Sequence, residues 1–124
     1  DAFSIETVAF GLVSRDRRET EQQLGFFFSA FPNYAVTLEG LATGTGSVAL
    51  WGRARMTFRG DLPGQRATGK TADLPIFCVF AYAEGMLHSE RFFFDLAGLC
   101  EQIDVPIGTL PAALLPLRGM EQVG

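Results

Sequence analysis

A hairpin in the second half of the chain constrains the fold more than any other feature. Apolar residues run from Leu74 to Tyr82, the pair Glu84-Gly85 follows, and a second strand-like run extends from Met86 to Phe94. Such a two-residue connection is typical of a tight β-hairpin, because tight turns need positive φ angles that glycine adopts freely. The first strand is apolar at consecutive positions, so we predict that both of its faces are covered. We therefore expect an antiparallel sheet built around this hairpin.

Signals on either side of the hairpin predict a mixed α+β domain. Asp16 and Glu19 have the spacing of a capping box at a helix start, and Pro32 ends that helix. Its apolar stripe consists of Leu24, Phe27, Phe28 and Phe31. Strands are predicted over residues 34–41 and 48–58, with a loop over 60–69. Asp95 is predicted to cap a short helix whose apolar stripe is Leu96, Leu99, Cys100 and Ile103.

Composition narrows the classes of function. The 124 residues fit one domain, 1–124, and 48% of them are hydrophobic, as expected of a globular chain. The formal net charge of −4 argues against a nucleic-acid partner, since phosphate binding needs a basic face. No apolar run approaches the roughly 20 residues of a membrane helix, and no signal peptide is visible, so we expect a cytoplasmic protein without a membrane partner. Cys78 and Cys100 are predicted to be buried free thiols, and no metal site or cofactor is indicated.

Several short motifs resemble those of a known superfamily. The order is Thr68-Gly69-Lys70, the long strand, the Glu84-Gly85 turn, a strand ending Arg91 to Asp95, and a short helix. This layout resembles the SnoaL-like families of the nuclear transport factor 2-like (NTF2-like) superfamily, and limonene epoxide hydrolases share the Arg-x-x-Phe-Asp ending. Phe31-Pro32-Asn33-Tyr34 is similar to the segment before the next strand of that family. The resemblance implies a cystatin-like, cone-shaped α+β fold, in which a strongly curved, mostly antiparallel sheet carries helices on its concave face.

The resemblance also implies about 30 to 40 residues of helix ahead of the first strand, roughly two average helices and a turn. Here Asp1 to Ile5 already looks like that strand. Either the helical segment is not included in this numbering, or the domain does without it. In the second case the pocket is open unless the tail or a partner subunit fills the gap.

The hairpin register predicts which side chains face the pocket. A two-residue turn at Glu84-Gly85 pairs Tyr82 with Leu87, and regular pairing would continue with Val79 opposite Glu90 and Phe77 opposite Phe92. One face then carries Phe77, Val79, Ala81, His88, Glu90 and Phe92, and the other carries Ile76, Cys78, Phe80, Ser89, Arg91 and Phe93. In limonene epoxide hydrolases a catalytic Asp of the pocket wall stands where this chain has Phe92. The resemblance therefore places the Phe92 face in the pocket and implies that epoxide hydrolysis is absent.

Glu90 and His88 form the catalytic pair that we predict. They lie two residues apart on one strand face, about 6.6 Å along the strand. Apolar neighbours such as Phe77, Val79 and Phe92 would desolvate the Glu90 carboxyl and raise its pKa toward the range useful for proton abstraction. Two alternatives stay open at this point: Glu90 pairs with Arg53 or Arg55 across the sheet, or His88 is a surface residue of the hairpin end.

A polar face on the preceding strand offers further ligand-binding candidates. Trp51, Arg53 and Arg55 alternate with apolar residues and so lie on one face of their strand. They predict either a site for an anionic ligand or a solvated edge with a Trp lying along it.

The functional prediction follows from the resemblance. It implies a SnoaL-like protein that binds a hydrophobic, polyketide-like or cyclic small molecule in an apolar pocket, and that acts, if it is an enzyme, as a cofactor-free cyclase or isomerase by proton transfer. The alternative is a non-catalytic ligand-binding or dimerisation module of the same fold. We also predict a homodimer, because the face with Ile76, Cys78, Phe80 and Phe93 would otherwise leave an apolar patch in water.

Overall fold

One sheet organises the computed structural model, which describes residues 4–114. In chain order the elements are β1 (Ser4–Thr7), β2 (Leu12–Ser14), α1 (Arg17–Ala30), β3 (Ala35–Gly44), β4 (Ser47–Thr57), β5 (Thr71–Ala83), β6 (Met86–Phe94), α2 (Leu96–Ile103) and α3 (Thr109–Ala113). The strand order is β2-β1-β6-β5-β4-β3. The β1–β6 pair is parallel and the other neighbours are antiparallel. The predicted curved, mostly antiparallel α+β sheet is confirmed.

Both predicted helix caps are present. The Asp16 carboxylate accepts a hydrogen bond from the Glu19 N–H at 2.8 Å, and the Glu19 carboxylate accepts one from the Arg15 N–H at 2.8 Å. Asp95 accepts from the Gly98 N–H at 3.0 Å and begins α2. Each carboxylate satisfies an N–H group that the helix leaves without a partner, and its negative charge faces the positive end of the helix dipole.

The core lies between the helices and one face of the sheet. Ala54, Met56, Ala72, Leu74 and Ile76 of β4 and β5 pack with Phe31, Leu99, Ile103 and Leu110 from the helical side. The chain after α2 returns to this core through Val105 and α3, where Leu110 is 1% exposed. The last part of the predicted apolar tail, residues 115–124, lies outside the described residues. The same concave face also forms the wall of a cavity.

The hairpin turn forms as predicted. Ala83 pairs with Met86, and Glu84 and Gly85 between them have φ angles of 54° and 78°. Positive φ at both turn residues is the requirement of the tight turn whose twist matches that of the strands. Tyr82 pairs with Leu87, also as predicted.

The register beyond the turn differs from the prediction by one residue. A β-bulge at His88 makes Ala81 pair with Ser89, so that Phe80 lies opposite Glu90 and Cys78 opposite Phe92. The predicted pairs of Val79 with Glu90 and Phe77 with Phe92 are therefore wrong. The turn sets one end of β6 and the core sets the other, and the extra residue absorbs the difference between them.

The bulge exchanges the faces of β5. Ile76 and Cys78, predicted to face away from the pocket, are buried on the concave face at 6% and 5% exposure. Phe77 lies on the outer face, with 40% of its surface exposed, and its ring is 5.9 Å from that of Phe93. Within residues 4–114 of the single chain the concave face of β5 is covered and its outer face is open, so the prediction that both faces are covered depends on a partner.

Cys78 and Cys100 are buried free thiols, as expected. Within the part of the chain that is described, no helix is long and apolar enough to cross a membrane.

Candidate functional site

A cavity of about 230 Å³ lies between α1 and the concave side of the sheet. Its apolar lining comprises Ile5, Phe10, Leu12, Leu24, Phe26, Phe27, Phe28, Phe92, Phe94 and Leu114. Its polar lining comprises Thr7, Thr20, Gln23, Tyr34 and Glu90. Leu24 and Phe28 are each 45% exposed, so the cavity opens to solvent beside them. Of the apolar stripe predicted on α1, Leu24, Phe27 and Phe28 line the cavity, and Phe31 lies in the core.

Glu90 is the acidic residue of this lining. Among residues 4–114 the ion pairs are Arg17–Glu21, Arg53–Asp73, Lys70–Asp104 and Arg91–Glu6, and none includes Glu90 or Arg55. The proposed pairing of Glu90 with Arg53 or Arg55 is thus wrong. Burial raises the pKa of the Glu90 carboxyl above its ordinary value, and hydrogen bonding from the Cys78 thiol acts in the opposite direction with less effect.

Cys78 lies on the same concave face as Glu90. It pairs with Phe92, two residues beyond Glu90 on β6, so the thiol is a diagonal neighbour of the carboxyl. Burial, followed by the negative charge of Glu90, raises the pKa of the Cys78 thiol to about 12. Cys78 is therefore a neutral hydrogen-bond donor near neutral pH and a poor nucleophile.

Tyr34, the residue before β3, brings a phenol to the same cavity. Asn33 fixes the preceding turn: its amide donates to Thr57 Oγ1 at 3.0 Å, and its carbonyl accepts from the Thr57 N–H at 2.7 Å. The Tyr34 ring packs edge-on against Phe27, with 5.0 Å between centroids. Burial is the main cause that raises the pKa of the Tyr34 phenol to about 12, with smaller contributions from the charges of Cys78 and Glu90. The phenol thus stays protonated and is available as a donor.

The structure separates the predicted catalytic pair. His88 is the bulged residue near the turn, is exposed, and does not line the cavity. The alternative interpretation of His88 as a surface residue fits this position. The bulge interrupts the alternation of side chains between the two faces of β6, so that His88 does not share the inward face of Glu90.

Among the predicted ligand-binding residues, Phe92 lines the cavity, but Phe77 and Val79 do not. Val79 pairs with Arg91, and Phe77 with Phe93, on the outer face of the hairpin. Their assignment to the pocket wall is wrong, because it depended on a register without a bulge.

Trp51, Arg53 and Arg55 are exposed on the outer face of β4 and are not part of the cavity. The Trp51 indole lies over Gly40 of β3, where any larger side chain would collide with the ring. Arg53 makes two contacts with Asp73, from Nε to the carboxylate and from Nη2 to the backbone carbonyl at 3.2 Å. Arg53 is therefore already neutralised on the outer face, as in the solvated-edge interpretation.

Sequence reasoning missed four polar members of the lining, namely Thr7, Thr20, Gln23 and Tyr34. A usable signal existed for Tyr34, which follows Phe27 by seven residues and Phe31 by three and so continues the aromatic side of α1 past Pro32. No comparable signal marked Thr7 or Gln23, because their inward orientation depends on contacts between distant segments. Among residues 4–114 no group of three or more His, Cys, Asp or Glu side chains could hold a metal ion.

The site therefore combines the Glu90 carboxyl and the Tyr34 phenol in an apolar cavity, with the Cys78 thiol beside the carboxyl. Burial raises the pKa of the Glu90 carboxyl, which is the direction that makes a carboxylate a stronger general base. A neutral phenol from the next segment of the wall can donate a hydrogen bond to an oxygen that gains negative charge. This combination suits the removal of a proton beside a carbonyl group.

Solved structures with the same arrangement of strands and helices define the class of fold. A protein with a ketosteroid isomerase-like fold from Catenulispora acidiphila DSM 44928 superposes with a TM-score of 0.72 at 13% identity, over 86% of this chain and 76% of that one. A protein assigned as a SnoaL-like polyketide cyclase, from Jannaschia sp. CCS1, gives 0.70 at 23% identity, over 85% of this chain and 72% of that one. An NTF2-like protein from Burkholderia thailandensis E264 gives 0.66 at 18% identity, over 79% and 72% of the respective chains.

The chain thus has the fold of the SnoaL-like and NTF2-like superfamily, as its motifs predicted. The sequence matches no family model, and it matches no curated protein.

Proposed function

We propose that the protein binds a small, largely apolar molecule in the cavity and catalyses a cofactor-free proton transfer on it, as a cyclase or isomerase does. The observation that carries this proposal is Glu90, a carboxyl without an ion-pair partner among residues 4–114, in the same apolar cavity as the neutral Tyr34 phenol. Solved structures similar to this chain include proteins assigned as polyketide cyclases, which is consistent with this class of reaction.

The residues would act in defined roles. Glu90 in its ionised form would remove a proton from the carbon beside a carbonyl, and the electron pair of that C–H bond would move toward the carbonyl oxygen. Tyr34 would donate a hydrogen bond to the resulting oxyanion. For isomerisation, Glu90 would then return its proton to another carbon. For cyclisation, the carbanion would form a C–C bond to a second carbonyl, whose π electrons move to its oxygen, and that alkoxide would take the proton back from Glu90.

The size of the cavity limits the substrate. Pockets for drug-sized ligands have volumes of about 300 to 1,000 Å³. A cavity of about 230 Å³ therefore favours a molecule of one or two rings. The polar lining is sparse, so most of the ligand surface would be apolar.

Deuterium exchange into 2-tetralone tests the chemistry without knowledge of the natural substrate. This two-ring ketone has exchangeable protons beside its carbonyl, and NMR follows their replacement in D₂O. We expect the protein to accelerate the exchange, and we expect Glu90→Gln to reduce the acceleration by at least about a hundredfold. Glu101→Gln, an exposed change on α2, is the matched control and should leave the rate unchanged.

A second pair of variants tests the phenol. Tyr34→Phe removes the hydroxyl alone, and loss of one oxyanion donor typically lowers the rate about a hundredfold. Tyr82→Phe makes the same change at an exposed tyrosine of the hairpin, so we expect no effect there. Exchange that is equally fast with Glu90→Gln would reject Glu90 as the base. No acceleration by the unmodified protein would favour the alternative, a ligand-binding module without catalysis.

A further inference from the structure

One side chain of the α1 wall has no role in the proposed chemistry. Gln23 lines the cavity on the face of α1 that also presents Leu24 and Phe27. None of the side-chain hydrogen bonds among residues 4–114 includes its amide, and since no buried polar side-chain atom there lacks a partner, the amide is open to solvent. An amide carries two donors and an acceptor, so Gln23 offers unused hydrogen-bonding capacity to whatever occupies the cavity.

Thr20, one turn earlier on α1, shows the opposite situation. Its hydroxyl lies 2.8 Å from Ser14 Oγ and donates to the Asp16 carbonyl at 2.9 Å. Thr20 thereby ties α1 to β2, which gives it a structural reason to be polar. Gln23 has no such bond, although an apolar residue at its position would extend the apolar wall of Leu24, Phe26 and Phe27.

Gln23 and Glu90 belong to facing walls of the cavity. Gln23 comes from α1, whereas Glu90 comes from β6, with Ile5 beside it on β1 and Phe92 two residues further along. A ligand between these walls meets a carboxyl on the sheet side and a neutral amide on the helix side. The apolar residues between them contact the remainder of the ligand.

We propose that Gln23 determines specificity, and that the cavity, taken as the ligand site of the proposed function, selects a one- or two-ring molecule with a second neutral polar group. This group, a hydroxyl or a carbonyl, would face α1 while the reacting group faces Glu90 and Tyr34. The amide suits a neutral group because it has no charge to balance an ionised one. Hydrogen bonding to a ligand group rejects analogues that lack it, since their binding leaves the amide unpaired.

Two naphthalene probes test this assignment by fluorescence titration. 2-Naphthol has one hydroxyl, and 2,6-dihydroxynaphthalene has a second one at the opposite edge. We expect the unmodified protein to bind the diol more tightly, and Gln23→Met to weaken diol binding by about tenfold, the value of a single hydrogen bond. The same variant should bind 2-naphthol as before, because methionine keeps the length of the side chain but donates no hydrogen bond.

The neighbouring glutamine supplies the control. Gln22 is exposed and does not line the cavity, so Gln22→Met should alter neither affinity. If Gln23→Met destabilises the fold in a thermal melt, Gln23→Leu replaces it as the test variant. Equal losses for both probes would indicate that Gln23 only shapes the cavity and would overturn the assignment, as would a protein that binds the two probes equally or not at all.

The outcome is separable from that of the proposed function. Probe affinities report the helix wall, whereas exchange into 2-tetralone with Glu90→Gln reports the chemistry of the sheet wall. A lost diol preference together with intact Glu90-dependent exchange would reject the role of Gln23 alone. A selective loss in Gln23→Met with exchange that does not depend on Glu90 would reject the catalytic proposal alone.

Discussion

The carboxyl group of Glu90 lies in an apolar wall without a counter-charge among residues 4–114, and its ionisation there has a cost that depends on pH. Below the ordinary carboxyl value of about 4.5, Glu90 is protonated in both the folded and the unfolded chain. As the pH rises from there through the raised folded value, the unfolded chain loses the proton first. The free energy of unfolding therefore falls with rising pH over this interval.

Glu90→Gln removes this pH-dependent cost. We expect the variant to have a higher melting temperature than the unmodified protein at pH 8 and a similar one at pH 4. Thermal melts across this range measure the difference, with Glu101→Gln as the matched change at an exposed site. A lower melting temperature of Glu90→Gln at pH 8 would mean that the ionised carboxylate is stabilised, and would contradict the raised pKa.

Cys78 gives a second residue-scale prediction. A rise of its pKa from 9.0 to about 12 lowers the thiolate fraction near neutral pH about a thousandfold, and the thiolate is the form that alkylating reagents attack. We expect iodoacetamide at pH 8 to leave Cys78 unlabelled in the folded protein and to label it quickly in urea. Mass spectrometry of the Cys78 peptide measures both rates, and rapid labelling of the folded protein would refute the assignment.

Local signals explain which elements could be predicted from the sequence. The Asp16 and Asp95 caps and the Glu84-Gly85 turn each depend on residues close together in the chain, and all three form as expected. The bulge at His88 has no such signal, since it reconciles a turn with a core built by distant segments. The family resemblance placed Glu90 and Phe92 at the cavity, and both line it. His88, Phe77 and Val79 were assigned to the same face because the predicted register contained no bulge.

Two single-residue deletions in β6 test the role of the bulge. Without His88, Leu87 and Ser89 become consecutive, the observed pairs from Ser89 to Phe94 persist, and the hairpin becomes regular. Without Arg91, the hairpin is again regular when Phe92 and Phe94 stay in the core, but Glu90 then lies opposite Val79 on the outer face. The exposed ion pair of Arg91 with Glu6 contributes little to stability.

We therefore expect both deletion variants to fold, with only the His88 deletion retaining exchange into 2-tetralone. Its stability should stay within about 1 kcal/mol of the unmodified chain, as for an ordinary surface change. Melting curves and exchange rates of the two variants make the comparison. Exchange that survives the Arg91 deletion would show that Glu90 still faces the cavity and that the bulge does not set its orientation.

At the scale of the whole molecule, the outer face of the sheet exposes large aromatic side chains to solvent. Trp51, Phe77 and Phe93 lie side by side across β4, β5 and β6, and Trp51 and Phe77 are each 40% exposed. Of the residues predicted for a dimer face, Phe93 is on this side, whereas Ile76 and Cys78 are in the core and Phe80 lies opposite the inward-facing Glu90. The expected dimer thus needs a different set of contacts.

We propose a two-fold homodimer through the Trp51, Phe77 and Phe93 row, because burial of this patch against a second copy removes apolar surface from water. Phe77→Asp would place a charge in its centre and should convert dimers to monomers in sedimentation at micromolar concentration. Ile107→Asp alters an exposed apolar residue outside the sheet and is the matched control. A monomeric unmodified protein would reject the proposal.

The bulge at His88 also has a consequence for anyone comparing this chain with others of its fold. The bulge places one residue, His88, between the turn and the cavity residues of β6 without a partner opposite it in the β5 register. An alignment that places the turn glycine Gly85 in the same column as that of a relative with a regular hairpin would then shift every cavity residue by one column. Such an alignment would report a lost carboxylate where the two proteins share one, and the error disappears only when the strands are matched from the Phe94 end.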